Sequence, residues 1–331
     1  MTTTTRPTAD QLRTAVHLAL RAPSIHNTQP WRWSLHPDGL DLYADRFRQL
    51  AVADPDGHDL EISCGAALEL AQLGLASAGC ASVVQLRPDP RDPDLLARVR
   101  VTRFVAADEH TARRVEAAQQ RYSDRRPFAA KAVSEEVLAL LRAAADGDGV
   151  FLHLVQRADE RLDLSVVASR ADQALQSNPA YRQELARWIR TGPADDGVPV
   201  VAVPHLIGHE PRHTDVPIRD FEAGVTGAVP VTGGQDEEPV LAVVMTDDDG
   251  TQACLRAGAA LARLLIEAQA QGLATSIISQ PVDWPALRER MRQLMSWDQH
   301  AQIIVRIGWP TDSMAGQPTA RRPISDVLDA R

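Results

Sequence analysis

Three short segments of the chain concentrate polar side chains beside turn-forming residues. The first is A-P-S-I-H-N-T-Q-P-W at 22–31. A proline directly after a helical stretch stops the helix. Asn27 and Gln29 then present amides that both donate and accept hydrogen bonds. Paired amides suit the edge of a heterocycle that alternates donors and acceptors. On their own, the same residues also read as a polar turn into a strand. The second segment is R-Y-S-D-R-R-P-F at 121–128. Arg121, Ser123 and Arg125 alternate along an extended stretch, and guanidinium forks with a hydroxyl make a phosphate clamp. Each hydrogen bond to a charged group contributes about 1.5–3 kcal/mol. A solvated basic linker is the competing reading. The third is A-R-R-P at 320–323, with Arg321 and Arg322, after G-W-P at 308–310; basic tails of this kind are commonly solvated.

Other familiar chemistry is missing. No G-x-G-x-x-G follows a strand, and there is no phosphate-loop lysine motif and no G-x-S-x-G nucleophile elbow. His205, His209 and His213 recur every four residues, a ligand spacing on a helix, but Gly208 and Pro211 interrupt the run. A loop without a metal is the expectation there. Cys64, Cys80 and Cys254 are scattered, which fits reduced thiols in a cytoplasmic protein. The net charge of −9 comes with no basic block, which argues against a nucleic-acid partner. Lys131 is the only lysine among the 35 basic residues, so the available anion clamps are guanidinium groups. No run approaches the about 18 apolar residues of a membrane span. The Thr-rich start reads as a short disordered lead rather than a signal peptide.

The elements that position these segments are written twice. Residues 64–82 read C-G-A-A-L-E-L-A-Q-L-G-L-A-S-A-G-C-A-S, and residues 257–275 read A-G-A-A-L-A-R-L-L-I-E-A-Q-A-Q-G-L-A-T. Gly65-Ala66-Ala67-Leu68 matches Gly258-Ala259-Ala260-Leu261, Gly79 matches Gly272, and Pro88 matches Pro281, all at one offset (258 − 65 = 193). A self-match of this kind outranks local pattern. Each copy reads as a long apolar helix ending at a glycine C-cap, a short apolar stretch, a proline, a second helix, and a strand (99–102 and 303–307). Upstream, helix 12–21 precedes strand 31–35, and helix 135–145 precedes strand 150–155. The fold class is therefore α+β, duplicated: an N-terminal unit over 1–110 and a C-terminal unit over 111–331. The Gly/Pro/Asp-rich stretch at about 191–239 lies outside the repeat and is a candidate lid.

Together the three segments resemble the FMN-dependent nitroreductase superfamily across nearly the whole chain, and in particular its fused, tandem Acg-like branch from actinobacteria. In that family FMN lies between two units. The resemblance implies that Arg121, Ser123 and Arg125, with Arg321 and Arg322, hold the phosphate. It implies that Pro23, Ser24, Ile25, Asn27 and Gln29, from the other unit, meet the isoalloxazine. Ser279 and Gln280 fall where backbone N–H groups approach flavin N5, although the Glu-Gly usual there is missing. The first unit lacks R-x-S-x-R, and the second has D-G-D-G-V-F at 146–151 in place of N-T-Q-P-W. Each copy has thus lost the complementary half of one site, which leaves one FMN in a monomer that acts as a pseudo-dimer. The implied function is an oxidoreductase passing electrons from NAD(P)H through FMN to a small nitroaromatic or quinone-like acceptor. The alternatives are an FMN storage or sequestration protein with little turnover, and a flavin-free interaction module.

Overall fold

The computed structural model describes residues 6–207, 216, 219, 221, 229–232, 239–311 and 318–329. The N-terminal lead, His209 and His213, and most of 208–238 lie outside these residues. In the N-terminal half, α1 (Ala9–Ala19) leads through the 22–30 loop to a hairpin of β1 (Trp31–His36) and β2 (Gly39–Ala44). The long helix α2 (His58–Ser77), β3 (Cys80–Leu86), β4 (Leu95–Phe104) and α3 (Glu109–Gln120) follow. The C-terminal half begins with α4 (Glu135–Ala145) and β5 (Val150–Val155). An insertion carries α5 (Ala158–Ser177), α6 (Pro179–Trp188), the short pair β6 (Ile189–Arg190) and β7 (Val198–Pro199), and the pair β8 (Pro204–Ile207) and β9 (Val229–Thr232). The repeat then resumes with β10 (Val240–Thr246), α7 (Thr251–Ala270), β11 (Ala274–Ile278), α8 (Pro285–Met295) and β12 (His300–Gly308). The chain closes with β13 (Leu328–Asp329).

The two main sheets have the same plan. The first runs β1-β2-β4-β3 with β13 outside β1, and the second runs β5-β10-β12-β11. Within each four-strand set all pairings are antiparallel. In the first copy a two-residue turn joins the opening hairpin, whereas in the second the whole α5–β9 insertion sits between the equivalent strands. β2 and β10, which sequence patterning does not separate from their surroundings, complete the plan.

The duplicated helices meet at their repeated glycines. A Cβ on Gly65 would lie 2.1 Å from the Leu255 carbonyl oxygen, and one on Gly258 would lie 2.0 Å from that of Ile62. The offset relates the two contacts, since 62 + 193 = 255 and 65 + 193 = 258. A reciprocal contact of this kind is the signature of a two-fold interface, here inside one chain. Each helix also fills the other half's core: Ile62 packs with the second sheet, and Leu255, Ala262 and Ile266 pack with the first.

One expected element is not formed. After Pro88 the first copy has no helix; residues 88–94 turn directly into β4. Pro90 and Pro93 lack N–H donors, and Asp92 Oδ1 instead accepts from the N–H groups of Asp94 (3.2 Å) and Leu95 (3.3 Å). Asx turns of this kind compete with helix. Only the second copy has the helix, as α8.

Candidate functional site

The three polar segments converge on one cavity between the halves. It encloses about 1040 Å³ of empty space, part of it open solvent. Pro23, Ser24, Ile25 and Asn27 line it from the N-terminal half. Arg121, Ser123, Arg125, Ser279 and Arg321 line it from the C-terminal part of the chain. Gln29, Gln280 and Arg322 are absent from its lining.

The 22–30 loop is shaped by strain and held by side chains. His26, Asn27 and Gln29 all adopt positive φ (46°, 55° and 50°), which costs non-glycine residues of order 1–3 kcal/mol each. Compensation comes from Ser24 Oγ, which accepts the Gln29 N–H at 3.0 Å, and from Ser63 Oγ on α2, which accepts the Ile25 N–H at 3.2 Å. Gln29 is fully buried. Its amide donates to Asp195 O at 2.8 Å, and its Oε1 accepts the Arg322 N–H at 2.9 Å. Arg322 reaches Gln29 O and, at 3.8 Å, the Asp45 carboxylate. These two residues therefore lock the loop to the C-terminal tail from behind the cavity wall. Asn27 Nδ2 donates to Gly197 O (3.1 Å) and Ala320 O (3.2 Å), leaving its buried Oδ1 without a partner. Asn27 lies in the cavity lining, so its bare acceptor is available to an N–H donor.

The 121–125 stretch is extended because it adds to a sheet edge: Ser123 bridges Thr275, and the Asp124 N–H donates to Thr275 O at 2.7 Å. Asp124 is consumed by Arg126 through paired bonds of 2.8 and 2.6 Å. The alternation then turns Arg121, Ser123 and Arg125 to the cavity. Arg121 donates to Arg21 O at 2.9 Å, and Arg321 donates to Thr319 O (2.9 Å) and Ala22 O (3.3 Å). Both keep a buried, unpartnered Nε. Burial, reinforced by neighbouring Arg21, pushes the Arg121 guanidinium down to about 10. Burial, with Arg121 and Arg21 alongside, lowers Arg321 well below its usual range. No carboxylate among the described residues pairs with either side chain. Buried cations are normally paired, and the three crowded guanidinium groups of Arg21, Arg121 and Arg321, without a carboxylate among the described residues, have the chemistry to attract an anion.

The other end of the cavity is different in kind. Arg125, pushed down to about 10 by burial and by Arg219, lies with its guanidinium 4.7 Å from the Phe221 ring centroid. Arg219 is held by Asp283 (2.6 Å), Ser279 Oγ (2.8 Å) and the Tyr181 hydroxyl. Despite burial, Asp283 and Tyr181 raise its pKa. His26 stacks edge-on to Phe221 at 5.6 Å, and both its ring nitrogens are unpartnered. Burial, then Arg219 and Arg125, hold it neutral. Sequence reading passed over Asp59, Ser63, Arg219 and Phe221. The last two sit in the irregular insertion, where no periodic pattern marks them. His26 was visible inside its segment, but nothing there told a functional side chain from a structural one.

No family profile matches the chain. Its relatives do place it. Rv3131 of Mycobacterium tuberculosis, which carries a provisional NAD(P)H nitroreductase name, is 34% identical over 326 residues, 98% of this chain and 92% of its own. The same organism's acg protein, with the same provisional activity name, is 30% identical over 99% of this chain and 98% of its own. The chain belongs to the nitroreductase superfamily, in its Acg-like branch. Among solved structures, a nitroreductase with bound FMN from Desulfitobacterium hafniense covers 66% of this chain and 98% of its own, at 12% identity and a TM-score of 0.41, a likeness too distant to bear on the site. For an Acg-like nitroreductase, the cavity lies where two copies of the unit meet. No helix among the described residues is long and apolar enough to cross a membrane.

Proposed function

We propose that the cavity binds one FMN per chain and that the protein is an NAD(P)H-dependent oxidoreductase acting on a small nitroaromatic or quinone-like acceptor. The observation that carries the reading is the pair of buried guanidinium groups, Arg121 and Arg321, each with an unpartnered Nε and no carboxylate among the described residues. A phosphate dianion supplies what they lack. Ser123 adds a hydroxyl beside them, and Pro23, Ser24, Ile25 and Asn27 form the wall for the ring, with the free Asn27 Oδ1 as acceptor for a ring N–H. Ser279 and Gln280 carry the backbone expected near the reactive edge. Gln29 and Arg322 act by holding the loop and the tail together. When bound, FMN supplies the hydride chemistry, and the protein supplies orientation and electrostatics. Arg125 remains protonated near neutral pH and stabilises negative charge formed beside it. The functional division into units 1–110 and 111–331, a monomer acting as a pseudo-dimer, and a cytoplasmic location belong to the same proposal.

A second reading is favoured by one feature. Gly197, Val198, Ala202, Arg219 and Phe221, all from the 191–239 segment, wall the cavity. If that segment closes the site, the flavin is stored rather than turned over. Anaerobic addition of NADPH or NADH to the yellow protein decides between them. Bleaching of the flavin band within seconds supports the enzyme, and none over an hour supports sequestration. Protein that stays colourless with added FMN overturns both.

A further inference from the structure

The turn at residues 25–27 holds its central side chain against the cavity. The Asn27 N–H donates to Ser24 O at 3.0 Å, and the Thr28 N–H donates to Ile25 O at 2.8 Å. His26, at the centre, has φ 46° and ψ 23°, a left-handed conformation. Both neighbours are pinned: the Ile25 N–H by Ser63 Oγ, and the Asn27 side chain by Gly197 O and Ala320 O. The imidazole is therefore held in a fixed direction before anything binds, as a recognition site requires. It lines the cavity, is 6% exposed, and neither ring nitrogen has a partner among the described residues. Burial, then Arg219 and Arg125, hold the ring neutral, so one nitrogen carries a proton and the other a lone pair.

Packing does not account for this choice of residue. The neighbouring ring is Phe221, edge-on at 5.6 Å, and an aromatic face is only a weak hydrogen-bond acceptor. A phenyl ring would pack there equally well without two unmet polar atoms, which buried sites ordinarily avoid. The neighbouring cations are engaged elsewhere. Arg219 is held by Asp283, Ser279 and Tyr181, and Arg125 lies 4.7 Å from the Phe221 centroid and donates to Ala202 O at 3.4 Å. Outside the guanidinium groups, the other unpartnered side-chain atoms of the lining, Asn27 Oδ1 and Asp59 Oδ2, are oxygens. Among the described residues, the imidazole is the nitrogen donor left to meet an oxygen.

We propose that His26 receives the electron acceptor: its ring N–H donates to the oxygen of a quinone carbonyl or nitro group and selects acceptors that present an oxygen at that end of the cavity. The assignment rests on the flavin reading. Solvent does not reach either ring nitrogen, so the acceptor reaches them by parting the His26–Phe221 contact. A planar acceptor then keeps an aromatic neighbour beside Phe221 and supplies the oxygen that the imidazole lacks. Negative charge gathers on that oxygen during reduction, so a donor already in place favours reduction as well as binding. His26 keeps its proton throughout; it orients and polarises.

The contact is read first in oxidised, FMN-loaded protein, where menadione binds without turnover. Labelling with nitrogen-15 histidine gives ring resonances for the 10 histidines, and those of His26 are the ones missing from the His26→Gln spectrum. They should move on addition of menadione; unmoved resonances overturn the proposal. Function is read by mixing dithionite-reduced protein with menadione or with ferricyanide, which takes electrons without a hydrogen bond to an oxygen. In His26→Leu the menadione-to-ferricyanide rate ratio should fall about 10-fold, the effect of one hydrogen bond, through a raised half-saturation concentration of menadione. His26→Gln, which keeps an N–H at the same backbone conformation, should recover most of the ratio. An unchanged ratio in His26→Leu, or an equal loss in both variants, overturns the assignment. FMN affinity, followed by fluorescence quenching, should stay within about 3-fold of the parent in both variants, less than a lost hydrogen bond to the cofactor would cause. A larger loss puts His26 on the cofactor and overturns its role toward the acceptor. Parent protein that binds no FMN defeats the flavin reading and this proposal with it, whereas bound FMN with an unmoved ratio defeats this proposal alone.

Discussion

At the residue scale, the site is organised by what its side chains lack. Arg121 and Arg321 have carbonyl partners but, among the described residues, no counter-ion, and this distinguishes them from Arg126, which is neutralised by Asp124. Replacing Arg121 with alanine removes one charged hydrogen-bonding partner of a phosphate, worth about 1.5–3 kcal/mol. FMN affinity, followed by quenching of flavin fluorescence, should fall about 10- to 100-fold. Arg126→Ala should leave it nearly unchanged. A second prediction concerns His58, buried at the start of α2 and hydrogen-bonded through Nε2 to Gln302 Oε1 at 2.8 Å. Burial and Arg288 push its pKa down to about 4. The unfolded chain takes up a proton near pH 6.5 that the folded chain refuses until about pH 4. The His58 contribution is therefore fully present above about pH 6.5 and is lost as pH falls toward 4, by about 3 kcal/mol over the window. His58→Gln, which can still donate to Gln302, should flatten the fall in urea midpoints between pH 7 and 4.5 relative to the parent. An identical profile in the variant counts against this assignment.

At the element scale, the crossing of α2 and α7 is the feature on which the rest depends. Backbone approach there is close enough that a single methyl has no room, since the contact atoms are carbonyls of the facing helix. Gly65→Ala and Gly258→Ala should each force the helices apart and lower stability by about 1–3 kcal/mol. The two losses should be similar because the contacts are reciprocal. Thermal denaturation of both variants measures this, and a loss in only one would break the internal symmetry. The elements also show where sequence patterning succeeds. The helix and strand at 135–145 and 150–155 form over those residues, because caps and apolar period agree locally: Ser134 caps the helix, and Asp146 Oδ1 accepts the Leu152 N–H at 2.6 Å. The repeat carried the expectation too far at 88–94, where local prolines and aspartates prevail over the homologous helix.

At the scale of the whole molecule, duplication without symmetry explains why one site is expected rather than two. The turn at Gly147–Gly149 in the second copy is a tight backbone reversal, with Gly147 bridging Val150, and it has no amide loop like that at 22–30. Among the described residues, the first copy shows no counterpart to the arginine-bearing strand at 121–125. Titration with FMN should therefore saturate at one equivalent per chain, and sedimentation of the loaded protein should give the mass of a single chain. Saturation at two equivalents, or a dimer required for binding, overturns the pseudo-dimer reading.

The sequence alone carries the duplication, because an offset repeated through glycines and a proline needs no coordinates to be seen. It also carries most of the proposed anion clamp, because arginines alternating with a serine are legible wherever the strand goes. It could not tell the residues that face the cavity from those that brace it. Gln29 and Arg322 share their motifs with Asn27 and Arg321, yet they turn away, since burial direction is set by the packing of loop against tail.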